Sequence, residues 1–139
     1  MLMDRRRRAL MMLAAAAPAP SNDIVPDSWM KGGISSSGSN NNASYAMKFT
    51  SQLPVLTDAT GVKRTGQQSY NGNNIYLLVA EYDSNGTFIR RSDALTVGST
   101  YTLGSTCAAI RISFAFSSSV GVDMTQAIVD QCYGAEWVV

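Results

Sequence analysis

At 139 residues the chain has room for one domain and a short extension, and 45% hydrophobic content is enough for a core. Only 15% of residues are charged, so Ser, Thr, Asn and Gly supply much of the polar surface, which favours a β-rich, turn-rich domain over a helical bundle. Four of the eleven basic residues stand together at Arg5–Arg8 and the remainder is slightly acidic, which argues against a nucleic-acid surface across the domain. No apolar run approaches the ~20 residues of a bilayer crossing. There is no histidine, and Cys107 and Cys132 form no C-x-x-C pair, so a zinc site and a histidine-based triad are excluded and no cofactor is expected. The two cysteines read as free buried thiols in preference to a disulfide, since no disulfide framework is visible.

Residues 1–20 (MLMDRRRRALMMLAAAAPAP) differ in kind from the rest. Asp4 can cap a helix, Arg5 through Ala16 are nearly all strong helix formers, and Pro18 and Pro20 end it in an extended linker. The preferred reading is a helix that docks on a partner protein through Leu10, Met11 and Leu13, with Arg5, Arg6, Arg7 and Arg8 at its basic end. The alternative is a secretory signal cleaved before Ser21, for which Ala9–Ala17 is short and alanine-dominated. A nucleic-acid or acidic contact at Arg5–Arg8 is weaker still, because the run is so short. Residues 21–139 then form the domain.

Trp29–Ile34 reads as an early strand, Ser35–Ala43 as a loop, and Tyr45, Met47 and Phe49 as one face of a half-buried strand. Leu53–Leu56 is a short edge strand, since Pro54 cannot donate to a central ladder. Thr57–Asn74 is mostly polar, with turns at Asp58–Gly61 and Asn71-Gly72. Ile75–Tyr82 is apolar on both faces apart from Glu81, and Asp83–Gly86 turns it back into Thr87-Phe88-Ile89, with Gly86 suited to the left-handed position. Short strands are expected at Ala94–Val97 and Tyr101–Leu103, and a second strong one at Cys107–Phe116, where Ile110, Ile112, Phe114 and Phe116 share a face. Val120–Val129 holds a strand and a turn, and the apolar end at Cys132–Val139 is a last strand or a contact with a neighbour. No helix after the first is evident. The expected fold is an all-β antiparallel sandwich of seven or eight strands behind a short N-terminal helix and a proline-containing linker.

The order Trp-x-x-Gly-Gly-Ile, Leu-Pro-Val, VAEYDSNGTFIRR and YTLGSTCAAIRISFAF resembles the small jelly-roll sandwiches, similar to carbohydrate-binding modules, in tail and other structural proteins of phages of Gram-positive bacteria. The basic start DRRRRALMM resembles the start of such proteins. The resemblance implies a non-enzymatic virion protein, a decoration, fibre or tail accessory that acts in adhesion, with other virion proteins as partners, a homo-oligomeric state, and a cell-surface glycan as ligand. It brings no catalytic residue. The alternative is a secreted bacterial carbohydrate-binding or adhesive module with a cleaved signal.

A three-residue hairpin loop sets Tyr82 opposite Phe88 and Ala80 opposite Arg90. Tyr76, Leu78, Tyr82, Phe88 and Arg90 then share an aromatic face suited to a sugar ring or a protein chain, although packing within the monomer is the stronger reading. Arg111 could reach a sugar hydroxyl or a carboxylate, with a solvated outer face or a salt bridge within the sheet preferred. Trp137 is the better interface anchor of the two tryptophans, and Asp83 with Asn85 is a capped turn in preference to a calcium loop. No Gly-x-Ser-x-Gly elbow or phosphate loop is present, and spacing alone brings no two carboxylates together.

Overall fold

The computed structural model describes residues 21–139, so the expected docking helix lies outside the described residues. In chain order the strands are β1 (Trp29–Lys31), β2 (Ala46–Phe49), β3 (Leu53–Pro54), β4 (Gly61–Gly66), β5 (Ser69–Tyr70), β6 (Asn73–Tyr82), β7 (Phe88–Arg91), β8 (Thr100–Thr102), β9 (Ala109–Phe116) and β10 (Tyr133–Val138). Among the described residues a 3-10 turn at Ser118–Val120 follows β9, and one α-helix, α1 (Gln126–Cys132), runs directly into β10.

The two longest apolar runs become the two longest strands, and they pair with each other from Ile75↔Phe116 to Tyr82↔Ala109. Around them β2 and β3 follow the far edge of β9, β5 and β7 pair with β6, and β1 closes the sheet beyond β2. A second sheet has the order β10-β4-β8. All pairings are antiparallel, so the all-β, two-sheet expectation holds.

Strand alternation then decides what lies between the sheets. Ile75, Leu77 and Val79 of β6, Ile110, Ile112, Phe114 and Phe116 of β9, and Met47 and Phe49 of β2 form the core with Val62, Ala135 and Trp137 of the second sheet. Trp29 sets its ring edge-on to Phe49 at 5.1 Å and Tyr133 at 4.8 Å, within the range of favourable aromatic pairs. Trp137 is 6% exposed, a core residue and not a free interface anchor. Neither cysteine is in a disulfide; Cys132 is buried and Cys107 is half-buried.

Two turns behave as their residues predict. Asn71 and Gly72 take successive positive φ values of 48° and 78°, which reverse β5 into β6. Asp83 caps the β6–β7 turn, its carboxylate accepting from the backbone N–H of Asn85 and of Thr87, both at 2.9 Å, while Gly86 sits at φ 77°.

The structure differs from expectation in four places. There are ten strands, two of them of only two residues, because β4 runs through a stretch that reads as polar loop. Ala94–Val97 is no strand; only Leu95 makes a bridge, to Leu77. Helix α1 forms where a strand and turn were expected, with Thr125 capping Ile128 N–H at 3.3 Å and with Ile128, Val129 and Cys132 buried. The hairpin carries a bulge: Tyr82 pairs with Phe88 as expected, but Glu81 pairs with Arg90 and Ala80 with Arg91. One extra residue, Ile89, therefore exchanges the faces of Arg90 and Arg91.

Candidate functional site

The outer face of the large sheet is roofed in part by its own chain. Residues 32–43 leave β1 and fold back over β6 and β9, with Ile34 packed against Ala80 and Tyr82. Gly38 (φ 87°) lies so close to Phe88 that a Cβ there would stand 2.4 Å from its ring. This segment carries one large apolar residue, Ile34, so burial alone cannot hold it down.

Three cations hold it instead. Lys48 donates its ammonium to the carbonyls of Gly33 (3.2 Å) and Asn41 (3.3 Å). Arg91 donates to Ile34 O at 3.0 Å. Arg111 donates to Phe49 O at 2.7 Å and to Asn40 Oδ1 at 3.1 Å. Lys48 is 1% exposed and Arg111 9%. Burial, and then the positive charge of Arg111, push the Lys48 pKa down from its ordinary value. The preferred sequence reading of Arg111, a solvated or salt-bridged side chain, is thus corrected: its partners are carbonyls, an amide and the Met30 sulfur.

The roof stops short of covering the sheet, and a groove of about 150 Å³ remains. Its floor is Ala46, Leu78, Ser113 and Ala115; the loop side brings Gly33, Ile34, Ser35 and Asn41, and Tyr45 and Arg91 complete the lining. Small residues at three floor positions make the depression, since β2 and β9 offer only methyl or hydroxymethyl groups there. Ser113 is 2% exposed as a residue and lines the groove; its hydroxyl makes no hydrogen bond among the described residues and is not sealed from solvent. Among the described residues no carboxylate lines the groove.

The site residues expected from sequence separate. Tyr76 and Leu78 are half-buried on the outer face, Tyr76 beside Ala115 and Leu78 beside Ser113. Tyr82 is 6% exposed, with its ring 5.9 Å from that of Phe88 in an edge-on pair, and the loop covers both. An open aromatic platform at Tyr82 and Phe88 is therefore corrected to an internal contact. Arg90 is on the opposite face, ion-paired with Glu81, because of the bulge. Sequence reading places the loop at Ser35–Ala43 but misses its role as a roof, and misses Lys48, Arg91 and Ser113 as site residues; the basic residues at alternating strand positions facing small ones were the available signal.

A second polar cluster closes one end of the sandwich. Glu81, fully buried in the inner face, accepts from Arg90, from the Tyr101 hydroxyl and from Gly104 N–H at 2.7 Å. Burial raises its pKa, but the three donors and the Arg90 charge outweigh that, and the carboxyl is held below its ordinary value. Tyr101 is correspondingly pushed up, by burial first and by its bond to Glu81. Cys107 borders a cavity of about 380 Å³ near this cluster, and its thiol is raised to about 11 by burial and by the Glu81 charge. A nucleophilic thiol needs the opposite shift, so Cys107 is a poor one.

Arg64 is the third buried charge. It donates to the carbonyls of Ile75, Leu95 and Gln67 and lies 5.7 Å from the Phe114 ring centre. Burial lowers its pKa to about 10, and its Nε has no partner. Its bonds tie β4 to β6 and to the segment after β7.

Among the described residues no three His, Cys, Asp or Glu gather as metal ligands, and no helix is long and apolar enough to cross a membrane. No protein-family model, curated protein or solved structure shows a significant match to the chain.

Proposed function

We propose that the protein is a non-enzymatic display module: a jelly-roll-like sandwich, carried on a virion as a decoration, fibre or tail accessory, that presents its outer-face groove to cell-surface glycans. One observation carries this reading. Residues 22–24 run along β10, with Ile24 N–H on Ala135 O at 2.9 Å and Trp137 N–H on Asn22 O at 2.7 Å. The described chain thus enters the domain along the small sheet, whereas the groove opens on the outer face of the large sheet. An entry point on the layer away from the groove suits a module held by its N-terminal side and read from the other.

The internal chemistry supports the same reading. The raised Cys107 thiol and the fully engaged Glu81 carboxylate are stabilising groups, not reactive ones. A shallow groove with a few polar groups gives weak affinity per site, which copies on one particle or in one homo-oligomer would multiply. The test is sedimentation of particles followed by N-terminal sequencing of the bound chain. Co-sedimentation with residues 1–20 intact supports display through the N-terminal helix. A free chain starting near Ser21 would sink it and assign the secreted adhesive module instead.

A further inference from the structure

We infer that the groove selects anionic saccharides, those bearing a carboxylate or a phosphate group, over neutral ones; the inference rests on the proposed glycan-binding role of the same groove. Its basis is an unbalanced charge count. Lys48, Arg91 and Arg111 all stand on strands of this face and bond to the loop over it or to the sheet edge, and the only ion pair among the described residues is the one between Arg90 and Glu81 on the other face. The acids that flank the face in sequence, Asp93 and Asp123, are exposed and pair with none of the three.

Carbonyl partners orient these cations without cancelling their charge. A carbonyl dipole satisfies a donor, but the net charge and its field remain, and low-dielectric walls focus that field into a cleft. Arg91 lines the groove and leaves Nη2 without a partner among the described residues, a ready donor to an acidic oxygen. Lys48 lies behind the groove wall, bonded to the Gly33 and Asn41 carbonyls, and adds its charge to the field there, while the Ser113 hydroxyl lines the groove and is free to meet a ligand oxygen. A groove of about 150 Å³ suits one sugar ring and not an extended polymer backbone. A monosaccharide-sized acidic group is accordingly favoured over a nucleic-acid strand.

The test uses the full chain on an array of paired saccharides, each uronic acid or sugar phosphate beside its carboxyl-reduced or dephosphorylated form. Two variants accompany it. Ser35 lines the groove and accepts from Ser39 N–H at 3.0 Å, a bond that Asp or Asn can keep. Ser35→Asp adds a negative charge to the wall and Ser35→Asn does not. The expected result is binding of the acidic member of each pair, weakened by salt, with Ser35→Asp binding the acids roughly tenfold more weakly than Ser35→Asn and the acid-over-neutral preference kept in Ser35→Asn. Equal binding of acidic and neutral members would overturn the charge inference and leave glycan binding standing. Binding to no saccharide would overturn both, and preferential binding to single-stranded nucleic acid would replace the saccharide with another polyanion.

Discussion

On the inner face of the large sheet the buried Glu81 is matched by Arg90, Tyr101 and Gly104, so its charge is neutralised where it lies. On the outer face Lys48 and Arg111 are buried almost as deeply, yet only dipoles meet them. The first arrangement closes a structure; the second orients charge and leaves it available. Arg64 shows that carbonyl-held charge is not sufficient for a site, because it lies inside the core where no ligand can reach it. A site needs both the uncancelled field and a groove beside it, and only the outer face has both.

The largest expected effect separates the faces by stability. Phe114→Ala should cost about 3–5 kcal/mol in chemical denaturation, as for a fully buried aromatic, whereas Tyr76→Ala on the half-covered outer face should cost under about 1 kcal/mol. Comparable losses would mean that the outer face is core and not a free surface. Next comes Glu81→Gln, which weakens charge-assisted bonds from Tyr101 and Gly104 and should cost about 1–3 kcal/mol at pH 7. Because the folded-state pKa of Glu81 is lowered, its contribution is present above the unfolded value of about 4.3 and is lost as pH falls through the folded value. Wild type and Glu81→Gln should therefore converge in strong acid, and a pH-independent gap would refute the link.

Lys48 gives the same sign of slope from the opposite cause. Its folded-state pKa is lowered because burial penalises the ammonium, so the unfolded chain holds the proton more tightly and stability rises with pH from the folded value towards the unfolded value of about 10.4. Lys48→Met should stay within about 1 kcal/mol of wild type at pH 7, since removing a buried ammonium offsets the two lost carbonyl bonds. It should also abolish that part of the alkaline rise, read as the difference between the two denaturation profiles. The smallest effect is Ser113→Ala, expected within about 0.5 kcal/mol because the hydroxyl faces the groove and bonds to none of the described residues. A loss above 1 kcal/mol would show that Ser113 serves the sheet and not the groove.

The parts of this fold that were legible in the sequence are those where burial and local pattern agree. β6, β9, the Asp83–Gly86 turn and the Asn71-Gly72 reversal follow from apolar runs bounded by turn residues. β4 did not, because Arg64 takes an inward position that alternation assigns to an apolar residue, and only its carbonyl and aromatic partners make that tolerable. Helix α1 is too short for a period of 3.6 to declare itself, and its Ile-Val pair suits a strand equally well. The site was harder. A single bulge at Ile89 exchanged Arg90 with Arg91, and a loop with one large apolar residue covered Tyr82 and Phe88. Neither the bulge nor the cation-held loop has a pattern of its own in the chain.

The most direct measurement is a titration of ¹⁵N-labelled protein with an acidic monosaccharide and its carboxyl-reduced counterpart, followed by backbone amide shifts. Saturable shifts at Gly33, Ser35, Asn41, Arg91 and Ser113 with the acid alone, while Lys63 and Thr65 of the small sheet stay still, are the predicted result. Shifts centred on the small sheet, or equal shifts with both sugars, would contradict an anion-selective groove on the outer face.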